Sequence, residues 1–185
     1  MHQALVRIVQ DRIQEQFINE ELFCKHYLQI STEVWWEWQK GRSNLPADVM
    51  QKMKGLFSDY EWMLVQKIIR QTILFPEKRN YVVSEYKRLK AIIAKKWLHS
   101  DEADVELVSK KSHFPRQSEQ QVMKHTVNLR VVMSYGEWGY DDILEFFMPA
   151  VIQQQIEDAS VDLLEWVDEN LEDTYMADEV SAQEE

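Results

Sequence analysis

The chain has 185 residues, 45% of them hydrophobic, enough to bury a sizeable core and to form one domain or two small ones. Four Gly and four Pro exclude a turn-rich β protein, and a single cysteine, Cys24, excludes an internal disulfide framework or a zinc site built on several thiolates. The net charge of −11 conceals an asymmetry: residues 1–58 carry seven Lys/Arg and seven Asp/Glu, residues 59–118 twelve and eight, and residues 119–185 two and seventeen.

At the N-terminus, Leu5, Ile8, Ile13 and Phe17 fall near helical spacing and predict a helix over His2 to Phe17. Asn19 to Leu28 reads as a shorter helix, in which Cys24 is a buried small hydrophobe. Only Gln29 and Ile30 separate it from Ser31 to Lys40, where Ser31 can cap the first amides and Gly41 tolerates the left-handed turn that ends the helix. Two short helices with a tight break read as a helix-turn-helix. Trp35 and Trp38, three apart, mark the buried face of the second helix, leaving Thr32, Glu33, Trp36, Glu37 and Gln39 outside. Base edges are read by Arg, Lys, Asn and Gln, so two carboxylates here face where a polyanion would lie.

On these residues the first third of the chain resembles the Cro and phage-repressor helix-turn-helix family. Ile30-Ser31 matches its turn hydrophobe and helix cap, and Trp38-Gln39-Lys40-Gly41-Arg42 matches its W-E-R-G-K. Asn44 and Pro46 close the loop, with Leu45 as an extra residue. The resemblance implies a repressor-like module of five helices that binds double-stranded DNA as a homodimer and regulates transcription in a phage or mobile element.

Pro46 to Leu56 should form the next helix, and the capping box Ser58-Asp59-Tyr60-Glu61 should start a long one that Pro76 stops. Glu77 to Asn80 is a polar break and the candidate domain boundary. Tyr81 to Leu98 reads as an amphipathic helix with Val82, Tyr86, Leu89, Ile93 and Trp97 on one face and Lys87, Arg88, Lys90, Lys95 and Lys96 on or near the other, a cationic face suited to phosphate contact.

The pattern weakens from His99 to Pro115, where a connector with one strand in Val105 to Val108 and the cations Lys110, Lys111 and Arg116 is expected. Residues 122–134 stay open between helix and strand. A capping box at Ser118 to Gln121 favours a helix, whereas Val127, Leu129, Val131 and Met133 alternate with polar residues like a strand. Gly136 and Gly139 bracket a turn, and the stretch from Pro149 to Asn170 carries Val151, Ile152, Ile156, Leu163, Leu164 and Val167, interrupted at Asp158 to Ser160. The acidic residues 173–185 lack periodicity and are expected to be disordered.

The five histidines show no metal-binding spacing, and neither a nucleophile elbow, a P-loop nor a dinucleotide-binding glycine pattern occurs. An enzyme, a metal site and a cofactor are therefore not expected. No apolar run follows a basic start and charges interrupt every apolar segment, which points to a cytoplasmic protein without a membrane span.

The sequence thus reads as a mostly α protein: a helix-turn-helix domain over 1–76, a helical dimerisation region over 81–172 with a short β-hairpin within 105–135, and an acidic tail over 173–185. Ser31, Thr32, Glu33, Trp36, Gln39, Lys40, Arg42, Asn44, Lys87, Arg88, Lys95 and Lys96 are the expected DNA-binding residues. The helix Val151 to Leu171, with Trp166, is the expected dimer surface.

A fainter resemblance runs over the whole chain. The order of elements, the Lys-rich helix ending in Lys96-Trp97-Leu98 and the segment Leu164-Glu165-Trp166-Val167-Asp168-Glu169-Asn170-Leu171-Glu172 are similar to streptococcal phage anti-CRISPR proteins that bind the type II-A nuclease. This implies the alternative of a protein-interaction module whose acidic surface occupies a nucleic-acid-binding surface on a partner.

Overall fold

A computed structural model describes residues 1–109, 122–135, 139 and 141–182. Helix α1 (His2–Gln16) is followed by α2 (Glu20–Leu22), which continues as a π-helical turn (Phe23–Leu28), and by α3 (Thr32–Gln39), α4 (Ala47–Lys54) and α5 (Asp59–Leu74). A 3-10 segment (Pro76–Tyr81) leads into α6 (Val82–Leu98). Strands β1 (Ala103–Ser109), β2 (Thr126–Met133) and β3 (Asp142–Pro149) precede α7 (Val151–Glu157) and α8 (Leu163–Ala182). The protein is mostly helical with a small antiparallel sheet of order β1-β2-β3. Among the described residues no helix is long and apolar enough to cross a membrane.

The helical signals in the first half are realised within a residue or two. Ser58 caps α5 in a reciprocal box, accepting from the Glu61 amide at 3.1 Å while the Glu61 carboxylate accepts from the Ser58 amide at 3.1 Å. Cys24 is buried. Two expectations need correction and a third group is not reached by the described residues. Residues 126–133 form a strand rather than the favoured helix, with Leu129 opposite Phe146 and Val131 opposite Leu144. The Ser118 to Gln121 box, Lys110, Lys111, Arg116, the segment His113 to Pro115 and the 136–138 part of the expected turn lie outside the described residues. The acidic end is helical to Ala182, and Tyr175 within it is buried with its ring 5.0 Å from that of Phe146.

Alternation in the strands sorts the sheet into two faces. Val105, Leu107, Leu129, Val131, Leu144 and Phe146 face α6 and α8. Glu106, Asn128, Arg130 and Glu145 share the other face, where Arg130 reaches Glu106 at 2.8 Å and Asn128 donates to Glu145 at 3.0 Å.

The outer edge of β3 is closed by side chains instead of a fourth strand. Glu61 Oε1 accepts from the Glu145 amide at 2.9 Å, Lys90 Nζ donates to the Glu145 carbonyl at 2.6 Å and Arg12 Nη1 to the same carbonyl at 3.3 Å. The Ser58 hydroxyl donates to the Ile143 carbonyl. A buried charge cluster thereby joins α1, α5 and α6 to the sheet.

Candidate nucleic-acid interface

Helix α3 has the local chemistry its sequence promised. Ser31 Oγ accepts from the Val34 amide at 3.5 Å. At the other end the Gly41 amide donates to the Trp38 carbonyl at 2.8 Å and the Arg42 amide to the Glu37 carbonyl at 2.9 Å, a Schellman pair made possible by Gly41 at φ +70°. The preceding turn places Gln29 at φ 60°, in the left-handed region. Trp35 and Trp38 are buried with ring centroids 4.7 Å apart, and His2 Nε2 on α1 lies 2.5 Å from the Trp38 carbonyl oxygen.

The outward side chains arrange themselves against a polyanion. Lys40 and Arg42 both turn to Glu37, at 3.8 and 3.4 Å. Gln39, among the expected DNA-binding residues, spends its amide on Glu20 Oε2 at 3.0 Å, the same oxygen that receives the Trp35 indole N–H at 3.1 Å. Its own backbone and the Ser31 hydroxyl hold the exposed Glu33 carboxyl below its ordinary value, so it is charged at neutral pH. Thr32 is half-buried, and Asn44 is exposed in the loop beyond the helix. Between Glu33 and Glu37 the surface is apolar: Val34 is 40% and Trp36 48% exposed.

The second expected group divides. Arg88, Lys95 and Lys96 are exposed on α6. Lys87 is not on a solvated face: it is only 5% exposed, and its ammonium lies 3.1 Å from Asp11 and 3.6 Å from Glu15. Lys90, read from the sequence as part of the same cationic face, is fully buried against Glu61 at 3.3 Å. Helices α1, α5 and α8 all pack on α6, which buries Lys87 and Lys90, and carboxylates from α1 and α5 compensate these two lysines. Asp11 and Glu15 stand one helical turn apart on α1 and Glu61 belongs to the capping box of α5, but nothing local in the sequence ties them to the lysines of α6. A cavity of about 650 Å³ beside Asp11, Glu15, Lys87, Lys124 and His125 carries both signs of charge and gives no polyanion preference.

The expected dimer surface is also occupied. Trp166, Val167 and Leu171 are buried within the chain's own core, leaving, among the described residues, Val151 and Leu164 as the exposed large apolar residues of α7 and α8. The outer side of α8 instead shows Glu165, Glu169, Glu172 and Asp173, and the exposed Asp162 just before the helix accepts from the Glu165 amide at 2.9 Å. The spacing of the helical carboxylates places them along one side of the helix.

The chain matches no family model, no curated protein and no solved structure.

Proposed function

We propose that this chain is a protein-interaction module that docks an acidic surface on the basic, nucleic-acid-binding surface of a partner protein, in the manner of an inhibitor. The observation that carries the reading is the outer face of α3. Trp36 and Val34 stand exposed between two carboxylates, while the neighbouring Lys40 and Arg42 both pair with Glu37 and the Gln39 amide is held by Glu20. An exposed Trp ringed by charge is the composition of a protein hot spot. Carboxylates around it favour Lys and Arg on the partner and oppose phosphate. The acidic outer side of α8 supports the same preference.

The resemblance to type II-A anti-CRISPR proteins supplies the partner to try first: a guide-loaded type II-A nuclease. The module should protect target DNA from cleavage by that complex, and Trp36→Ala should weaken capture by about 30-fold or more, as loss of a hot spot does. The competing reading, a DNA-binding regulator, is measured in parallel by fluorescence anisotropy on mixed-sequence duplexes across a salt series. Tight duplex binding that falls steeply with salt, with no effect of Trp36→Ala, overturns the proposal.

A further inference from the structure

The two edges of the sheet are treated differently by the fold. At β3 the outward carbonyl of Ile143 is taken by Ser58, and both outward groups of Glu145 by Glu61, Lys90 and Arg12. At β1, among the described residues, the backbone is hydrogen-bonded to β2 alone.

Parity then identifies which groups of β1 are free. In an antiparallel ladder the N–H and C=O of one residue point to the same side, and successive residues alternate. Glu145 directs both groups away from β2, so its partner Arg130 directs both toward β1, where Arg130 lies opposite Glu106. Glu106 and Asp104 therefore bond inward, and the N–H and C=O of Val105 and Leu107 point outward, with no partner among the described residues. An edge of this kind is a template for another strand.

We infer that the free edge of β1 is a second docking site, which receives an extended cationic segment of a partner protein by strand addition, independently of α3. The occupant is selected by charge. Asp101, Glu102, Asp104 and Glu106 run along this edge, and Arg130, already paired to Glu106, is the cation nearest to them in the sheet. A second copy of β1 would bring Asp104 and Glu106 against their own counterparts, and like charges across strands are destabilising. The fitting segment alternates Lys or Arg, opposite Asp104 and Glu106, with Val or Ile, opposite the half-buried Val105 and Leu107.

The test titrates the full chain, isotope-labelled for NMR, with a synthetic acetylated hexapeptide alternating Arg and Val. Shift changes and new protection from exchange should appear at Val105 and Leu107. N-methylation of alternate peptide residues should cost more than about tenfold in affinity, since about three backbone hydrogen bonds are lost while the charge is unchanged. Leu107→Pro should do the same by deleting one outward N–H without touching the β1–β2 ladder. Asp104→Lys should weaken the Arg peptide and favour a Glu/Val counterpart. Equal binding of the N-methylated peptide, perturbation centred on α3 or α8, absence of binding, or a dimer of the chain joined through β1 would each overturn the proposal. Because Trp36→Ala leaves β1 intact, this result and that of the α3 test are read separately.

Discussion

Arg12 and Glu61 form an ion pair at 2.6 Å in which the side chains are 1% and 0% exposed. Glu61 also takes Lys90 at 3.3 Å, the Ser58 amide at 3.1 Å and the Glu145 amide at 2.9 Å. Arg12 has the Leu56 carbonyl at 2.9 Å and the Phe147 ring 4.6 Å from its guanidinium carbon. One carboxylate thus serves as helix cap, counter-ion to two buried cations and substitute for a strand neighbour. Burial opposes the charge on Arg12, and Glu61 and Glu15 more than offset it, raising its pKa above the ordinary value.

Removing that carboxylate should cost far more than removing the cap it belongs to. Glu61→Gln keeps a capping acceptor but leaves two buried cations short of a counter-charge, and should destabilise by about 3–5 kcal/mol. Ser58→Ala should cost about 1–2 kcal/mol. Urea unfolding of the two variants checks the order, and equal losses would reduce Glu61 to a cap.

What the sequence could show here was local. Ser31, Gly41, Ser58 and the Trp35/Trp38 spacing each declare themselves within a few residues, and α1, α3, α4, α5 and α6 fall where the 3.6-residue period puts them. The hub could not be read that way, because Arg12, Glu61, Lys90 and Glu145 are separated by tens of residues and a lysine on a helix normally indicates solvent. The same limit hid the order of the acidic end: Tyr175 is held by Phe146 and by Glu15, 160 residues away. For β2 the alternation of Val127, Leu129, Val131 and Met133 was the true signal, outweighed by a capping box preceding it.

Tyr175 of α8 is accordingly part of the core. Tyr175 donates to Glu15 at 2.8 Å; burial and then Glu15 push its phenol well above the ordinary value, so it stays a donor. Tyr175→Phe should cost about 1.5–3 kcal/mol, the range for a bond to a charged group. Ending the chain after Glu172 should cost about 3–5 kcal/mol, since the buried ring is lost as well. A truncated chain as stable as the full one in urea would show that the tail contributes nothing.

Two groups of the cluster give the protein one pH limb in the acid range and one in the alkaline range, stability rising with pH in both. Burial would raise the Glu15 carboxyl, but Lys90, Arg12 and Lys87 together outweigh it and hold it below 4.5. Its contribution is present above that value and is lost as pH falls through the lower, folded one. Burial, resisted by Glu61, lowers Lys90 from 10.5. The unfolded chain then binds more protons just below 10.5, so stability rises with pH in that window. Thermal unfolding across pH should show both limbs, Glu15→Gln flattening the acid one and Lys90→Met the alkaline one.

The final prediction concerns Glu37, which holds Lys40 and Arg42 at the end of α3. All three side chains are well exposed, so Glu37→Gln should leave stability almost unchanged. Its effect should fall on affinity for phosphate. Freeing two cations should give weak duplex binding of similar strength on every sequence, with a log-log salt slope steeper by about two, near one per phosphate contact. The wild-type chain should bind the same duplexes barely at all, because Glu33 and Glu37 face the phosphates and Gln39 is held by Glu20. Anisotropy on several unrelated duplexes distinguishes the cases. Sequence-selective binding by the wild-type chain, unaltered by Glu37→Gln, would mean that Lys40 and Arg42 are not held from DNA by this carboxylate and that α3 reads bases by another set of contacts.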